Sequence, residues 1–368
     1  MNFYKPEAII VHYKIVKLKW RKNMKLYICG NGFDCHNGFK TEYKYYKKFL
    51  QEYYSYDSMY SGIVNRAEKF LYTSFINPES WNDIESSLTF DYLNYFKDYC
   101  NCFNIPRIQP GVSFPEINRT TFQQFRSENF TEDLIHFTGE CYYDWISKTY
   151  NFRRNEDKPY PKDIAFLMCN QKDLFINFNY TPTLQDIYKI PDKNVLHIHG
   201  ALIDVDQNNL RIPHTLEDGR VITELRSMLV RTMQFGTIEN DPERIKSELE
   251  KIEIVIQNDM FSREKLINDI YNVCRCTYKN IDINSQKLFT FLADKKISEI
   301  VVMGHTFDGI DMPYYTEVIF KLLKNCTWTF YCYTNINNNN YGNVAENRAM
   351  VFAKKLGLSL SENSFPRW

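Results

Sequence analysis

The chain has 368 residues, and its 45 Lys and Arg residues balance 45 Asp and Glu residues, so the formal net charge is zero. This balance excludes a protein that coats nucleic acid by charge alone, because such binding requires an excess of Lys and Arg. No segment approaches the roughly 20 apolar residues that span a bilayer, and the N-terminal region lacks the apolar core of a signal peptide. We therefore expect a cytoplasmic protein with no membrane partner and no nucleic-acid partner.

Residues 1–23 are predicted to lie outside the folded domain. They end directly before Met24, which begins a segment typical of the first strand of an α/β domain. We interpret them as an N-terminal extension or as a start site placed too far upstream.

The ten cysteines contain no C-x-x-C pair of the kind that zinc ribbons and thiol oxidoreductases require. We expect reduced, mostly buried thiols and no metal site.

Short apolar runs, each followed by a turn or a polar cluster, have the pattern of strands buried on both faces. They are residues 26–29, 174–180, 195–199 and 299–305, with a fifth run, rich in residues that favour strands, at 326–334. Helical patterns lie between the strands, at residues 41–54, 184–188, 285–294 and 312–324. This alternation predicts the α/β class, with a doubly wound, Rossmann-like parallel sheet.

Two long segments, about 60–172 and about 201–283, interrupt the alternation and have mostly helical patterns. We predict a single domain over residues 24–368 with two large helical insertions. Sites in open α/β folds lie at the carboxyl ends of the strands, and we expect the insertions to cover that edge.

A glycine turn, Gly30-Asn31-Gly32, directly follows the first strand. Without a Cβ, such a turn lets backbone N–H groups approach a phosphate or a ribose. The alternative interpretation is a tight turn that any α/β protein could contain.

Two amides lie in the second predicted strand, residues 174–180. Asn177 and Asn179 are two residues apart and therefore share one face of that strand. Two buried amides are costly without hydrogen-bond partners, so a ligand-facing strand end explains them better than a purely structural strand does. Alternatively, one of them caps the helix that begins near Pro182, a role that Thr181 could also fill.

The third strand ends in LHIHG, which contains His197, His199 and Gly200. A neutral imidazole at a strand end can act as a general base near neutral pH. A histidine with satisfied hydrogen bonds in the core is the alternative.

The fourth strand is followed by GHTFDGID, which contains Gly304, His305, Thr306, Asp308 and Asp311. Its backbone could donate hydrogen bonds to a ribose or a base, while Asp311 either binds a hydroxyl group or caps the next helix.

The ordered set GNGFD, W-x-x-I-E, FNYT, HIHG and GHTFDGID resembles the AbiH family of bacteriophage abortive-infection proteins over about residues 24–323. AbiH-type proteins are similar in turn to the sirtuin-like NAD-binding fold. The resemblance implies a phage-defence effector that responds to a phage-derived trigger, has no prosthetic group and takes NAD or a related nucleotide as its ligand or substrate. It leaves open whether the chain forms a homo-oligomer.

The resemblance also implies roles for individual residues. Asn179 would orient the ribose and a water molecule, His199 would be the catalytic histidine, and Asp34 would assist electrostatically or cap a helix. The remaining residues implied to contact the nucleotide are Gly30, Asn31, Gly32, Phe33, Asn177, Tyr180, Thr181, His197, Gly200, Gly304, His305, Thr306, Asp308 and Asp311. Glu85, in WNDIESSL, is a further acidic candidate that a lid could bring inward, or part of a solvated helix face.

The implied reaction is that of an NAD glycohydrolase, since the four-cysteine zinc ribbon of the protein deacylases is missing from the sequence. The turn residues Asn31, Thr181, His305 and Thr306 depart from the sirtuin-like pattern. Two alternatives remain open: a nucleotide-sensing module that cleaves nothing, and a toxin that acts on RNA.

Overall fold

The computed structural model describes a large part of the chain. The described ranges are 24–53, 138–156, 159–161, 172–202, 236–252, 263–307, 309–332, 339–361 and 364–366, the backbone of 211–215 and 221–225, and the single residues Glu85, Tyr92, Leu93, Phe96, Ile164 and Gln234. The predicted extension, residues 1–23, and most of the first predicted insertion lie outside these ranges, as does Asp308.

The described residues form two sheets. In chain order the strands are β1 (Met24–Cys29), β2 (Leu174–Asn177), β3 (Val195–His197), β4 (Arg211–Thr215), β5 (Val221–Leu225), β6 (Ile297–Met303), β7 (Thr327–Tyr331) and β8 (Ser359–Leu360). The main sheet has the order β3-β2-β1-β6-β7-β8, and each of its neighbouring pairs is parallel. Helices cover both of its faces, so the predicted doubly wound α/β fold is confirmed.

The helices alternate with these strands or lie in the insertions. They are α1 (Asn31–His36), α2 (Tyr43–Tyr53), α3 (Glu140–Arg154), α4 (Thr183–Asp186), α5 (Pro242–Glu250), α6 (Arg263–Thr277), α7 (Ile281–Leu292), α8 (Phe320–Leu323) and α9 (Asn339–Leu356). Short 3₁₀ turns occur at Asp192–Asn194 and Gly309–Asp311, and a π-helical segment spans Tyr314–Ile319. None of the helices in the described ranges combines the length and apolarity needed to cross a bilayer.

Local sequence explains two of the helix starts. The Asp241 carboxylate accepts hydrogen bonds from the backbone N–H groups of Glu243 and Arg244, and Pro242 occupies the first turn of α5. The Asn280 side chain accepts the N–H of Ile283 and so caps α7. Both caps satisfy amide groups that the first turn of a helix leaves without an intrahelical partner.

The second insertion is not entirely helical. The described part contains the helices α5 and α6, as predicted, and also the antiparallel pair β4 and β5. The short strand β8 and the long helix α9 were not predicted either.

The main sheet is buried on both faces. In β1, Leu26 and Ile28 belong to one apolar cluster, while Tyr27 and Cys29 belong to another on the opposite face. This is why the strand has a continuous apolar sequence. A third cluster, rich in aromatic residues, lies among the helices of the insertions and includes Trp145 of α3.

The strand register aligns the carboxyl ends of five strands. Cys29 of β1 pairs with Asn177 of β2 and with Met303 of β6, and the two outer partners in the same row are His197 of β3 and Tyr331 of β7. We call this row the carboxyl edge. The segments that follow these strands all begin at this edge, so residues far apart in sequence lie close together there.

Candidate functional site

A cavity of about 530 Å³ lies at the carboxyl edge. In the main sheet, β2 and β3 lie to one side of β1 in the strand order, whereas β6 and β7 lie to the other side. The strand order therefore reverses between β1 and β6. Ligands of open α/β folds bind at such a reversal. The cavity is lined by the turns that follow β1 and β6, which places it at this position.

The glycine turn packs against the turn after β6. The N–H groups of Gly30 and Gly32 donate to the carbonyl oxygens of Met303 and Gly304, at 2.9 and 2.8 Å. A Cβ on Gly30 would lie 2.6 Å from the Gly304 carbonyl oxygen, and one on Gly32 would lie 2.7 Å from the Gly304 Cα. The glycines are therefore required for close contact between two backbone segments. The N–H groups of both glycines are already used in this contact, so a phosphate would have to bind other groups of the turn.

His199 forms the central polar contact of the cavity. Its Nε2 lies 2.9 Å from Oδ1 of Asp311, and the histidine is buried. Asp311 ends the 3₁₀ turn after β6, and the helical segment that follows has no side-chain cap, so the capping interpretation of Asp311 is wrong.

The environment of this pair holds His199 neutral. Burial lowers the His199 pKa to about 4, and the ammonium of Lys279 acts in the same direction, against the carboxylate of Asp311. Burial would raise the Asp311 pKa, but Lys279 and His199 together hold it well below its usual range. A neutral imidazole beside a carboxylate donates its proton to it, so Nε2 carries the hydrogen and Nδ1 carries the lone pair. Within the described residues, Nδ1 of His199 is buried and has no hydrogen-bond partner.

A buried ion pair adjoins the histidine. Nζ of Lys279 lies 2.8 Å from Oε2 of Glu85 and 3.8 Å from Oδ1 of Asp311. The interpretation of Glu85 as a solvated helix residue is wrong, since only 8% of it is exposed. The Tyr180 hydroxyl donates to the Gln234 carbonyl oxygen and lies 3.4 Å from Oε1 of Glu85.

Aromatic rings enclose the histidines. The Phe178 ring is in edge contact with His199 and with His305, with centroid separations of 5.5 and 4.6 Å. Nε2 of His305 lies 3.6 Å from the second carboxylate oxygen of Asp311. This apolar enclosure excludes water around the pair and is one source of the low His199 pKa.

The two amides have different roles. The strand ends at Asn177, so the two side chains do not share a strand face. Oδ1 of Asn177 accepts the N–H of Asn179, and the fully buried side chain shapes the turn without lining the cavity. Asn179 lines the cavity, and its Nδ2 donates to the carbonyl oxygen of Gly30 at 3.0 Å. Neither amide caps α4, whose N-cap is Pro182.

Asp34 connects α1 to the segment after β2. Its two carboxylate oxygens accept hydrogen bonds from the hydroxyls of Thr181 and Thr183, at 2.5 and 3.0 Å. Burial raises the Asp34 pKa to about 7, although both hydroxyls stabilise the ionised form. Asp34 lines the cavity and caps no helix.

The model of the bacteriophage abortive infection AbiH family matches residues 26–332. The chain belongs to this family. It therefore takes part in the abortive-infection response to bacteriophage. No curated protein matches the chain.

Twelve of the predicted site residues of this AbiH protein line the cavity, namely Gly30, Asn31, Gly32, Asp34, Asn179, Tyr180, Thr181, His199, Gly304, His305, Thr306 and Asp311. Four others that the structure describes do not line it. Phe33 is in the core, Asn177 supports a turn, His197 contacts Gln185 and the Asn179 carbonyl oxygen, and Gly200 has a positive φ of 83° in the turn after β3.

The sequence did not single out several cavity residues, among them Lys279, Tyr43, Tyr142 and Arg348. Lys279 lies in the second predicted insertion and has no motif around it, so no local signal marks it. Within the described ranges, no three His, Cys, Asp or Glu side chains are grouped as metal ligands would be.

Proposed function

We propose that this AbiH protein is a phage-defence effector that binds NAD or a related nucleotide in the cavity and, once a phage-derived trigger activates it, hydrolyses the ribose–nicotinamide bond. The similarity to the sirtuin-like fold is part of this proposal. The observation that carries it is the buried His199–Asp311 pair in a cavity at the reversal of the strand order.

The size and position of the cavity support a nucleotide ligand. A volume of about 530 Å³ lies within the range of sites for small molecules and cofactors. Its position outside the carboxyl ends of β1 and β6 is where doubly wound folds bind nucleotides.

The protonation state of His199 supports proton abstraction. In hydrolysis, the bond from C1′ of the ribose to the nicotinamide nitrogen breaks and its electron pair leaves with nicotinamide. A water oxygen then bonds to C1′, and the water gives up one proton. Neutral His199 has the lone pair that accepts this proton at Nδ1, which is buried in this structure and must become open to the cavity when the protein is activated, and the ionised Asp311 stabilises the imidazolium that forms.

The charge of the cavity supports a cationic transition state. Among the described residues that line it, the acidic side chains are Asp34, Glu42, Glu85 and Asp311, and the basic ones are Lys279 and Arg348. The ribose acquires positive charge as nicotinamide leaves, and the ionised Asp311 stabilises that charge in a water-poor site. Asp34, whose pKa is raised to about 7, and Glu85, which is paired with Lys279, contribute less. We assign the ribose contact to Asn179, which lines the cavity and whose side chain donates to the Gly30 carbonyl oxygen.

The test is incubation of purified protein with NAD, with and without extract of phage-infected cells, followed by chromatography of nicotinamide and ADP-ribose. We expect product from the wild type and a loss of about 10²-fold or more in His199→Ala, since general-base catalysis contributes that much. His36→Ala is the matched control, because His36 does not line the cavity. Thermal melting of each variant checks the fold.

Two results would count against hydrolysis. Absence of nicotinamide under every condition would contradict it, as would product formation that survives His199→Ala. NAD binding by calorimetry without cleavage would support the nucleotide-sensing alternative instead.

A further inference from the structure

Backbone hydrogen bonds hold Lys279 next to the end of α6. The Thr237 N–H donates to the Thr277 carbonyl oxygen at the end of α6, and the Lys279 N–H donates to the Thr237 carbonyl oxygen, at 2.8 and 3.0 Å. The residue is only 1% exposed, so its ammonium is held inside the protein rather than in solvent.

The ammonium lies between two carboxylates that belong to different parts of the chain. Glu85 comes from the first insertion, and Asp311 follows β6. Oδ1 of Asp311, which is 3.8 Å from Nζ of Lys279, is also the oxygen that Nε2 of His199 contacts. One carboxylate oxygen is thus shared by the lysine and the histidine.

A stabilising role does not explain this arrangement. Removing two charges from water costs about as much as their attraction returns, and apolar residues of similar size would serve the core equally well. A buried ion pair next to two titratable groups is better explained as a device that sets the protonation states of those groups.

We propose that Lys279 is a positioning residue for the reaction: its ammonium, held by Glu85, keeps Asp311 ionised and His199 in the neutral tautomer that carries the lone pair on Nδ1. This inference rests on the proposed function, since it assigns the base of that reaction to one nitrogen atom.

The groups around the pair agree with this role. Among the described residues, the side chains whose charge acts on the His199 pKa include Lys279, Asp311 and His305, and the titratable Tyr314 packs against the His199 ring. A proton on His199 would place a second cation beside Lys279 in a buried environment, so Lys279 opposes protonation. Glu85 acts on the lysine rather than on the histidine, because its carboxylate contacts Nζ directly.

The first experiment measures the titration and the tautomer of His199 by NMR of protein labelled with ¹⁵N-histidine, without any substrate. The variant is Glu85→Gln/Lys279→Met, which removes both charges of the ion pair, so that neither Glu85 nor Lys279 is left without its partner, and takes the ammonium away from Asp311. We expect the His199 pKa to rise by about one unit, because Lys279 lies 3.8 Å from the Asp311 oxygen that His199 contacts, and a nearby charge shifts a pKa by about one to three units. Glu85→Gln alone, which keeps the ammonium beside Asp311, should leave the His199 pKa unchanged or lower.

The second experiment measures the pH dependence of kcat/KM for NAD. The acid limb should move upward in the double variant by the same amount as the His199 pKa, and Glu85→Gln should not move it upward. A purely structural ion pair would lower activity at every pH without moving the limb.

The two proposals fail in different ways. If wild-type protein hydrolyses no NAD while the NMR titration moves as expected, the positioning role stands and the proposed reaction is wrong. If NAD is hydrolysed but the His199 pKa of the folded double variant is unchanged, Lys279 has no such role. If the double variant does not fold, a rise of the His199 pKa in Glu85→Gln would overturn the inference.

Discussion

Replacement of Gly32 by alanine tests whether the glycine turn serves backbone packing or the ligand. The new Cβ would lie 2.7 Å from the Gly304 Cα and 3.0 Å from its carbonyl oxygen. Both are backbone atoms at the end of β6, so neither can move aside as a side chain would. The two turns must separate, and the wall of the cavity moves with them.

The magnitude follows from two opposing effects. Forcing an extra methyl group into a packed region costs about 1–3 kcal/mol, and contact with fixed backbone favours the upper end. Alanine in a helix gains about 1 kcal/mol over glycine, and Gly32 lies in α1 without a positive φ that would add strain. We expect Gly32→Ala to lower the free energy of unfolding by about 2 kcal/mol.

The assay is urea unfolding followed by the fluorescence of the buried Trp145 and Trp328, with refolding verified. Gly357→Ala is the matched control, because Gly357 has a φ of 61° and a Cβ added to it would meet no atom of the described residues within 4 Å. That variant should lose about 1–2 kcal/mol through backbone strain alone and keep full NAD turnover.

Two results would refute the packing explanation. If Gly32→Ala keeps its free energy of unfolding within about 0.5 kcal/mol of the wild type but no longer binds NAD, the glycine serves the ligand directly. An unchanged stability together with unchanged turnover would show that the two turns are not in contact as described.

Three further predictions concern the polar groups of the site. Asp311→Asn should lower NAD turnover by about 10²-fold or more while leaving the melting temperature near that of the wild type, because an amide can donate to Nε2 of His199 and favour the tautomer with a protonated Nδ1. Because burial lowers the His199 pKa from 6.5 to about 4, the unfolded chain binds more protons than the folded one between these values, so His199 destabilises the fold as pH falls through that window. His199→Gln should therefore show a shallower loss of stability than the wild type between pH 6.5 and 4 in urea titrations, and an equal slope would contradict the low pKa. Asn177→Ala should cost about 1–3 kcal/mol and reduce turnover although its side chain does not line the cavity, because the Asn179 N–H loses its acceptor. Full activity in that variant would show that the turn does not position Asn179.

Much of the fold could be predicted from local pattern. The apolar runs at β1, β2, β3, β6 and β7 are typical of strands buried on both faces, which is a property of short segments that any window of the sequence reveals. The segment at β2 was predicted too long. The strand ends at Asn177, because the side chain of that residue accepts the Asn179 N–H and turns the chain.

The position of the site residues at the carboxyl edge could also be predicted. Gly30, Asn179, His199 and Gly304 each follow a strand, and parallel strands end at one edge of a sheet, so their convergence needs no knowledge of side-chain contacts. The roles of these residues were less accessible. Whether Asp311 caps a helix or contacts His199 depends on where the turn after β6 lies relative to the turn after β3.

The doubly wound sheet, the edge at which the cavity lies and the family of the chain all follow from the amino-acid sequence, because all three depend on the order of short motifs. Only the tertiary structure shows that Gly30 and Gly32 pack against Gly304, and that Glu85 and Lys279 are buried together beside Asp311. The difference arises from distance along the chain. Glu85 and Lys279 are 194 residues apart, and the burial of a charge is set by neighbours that only the folded chain brings together.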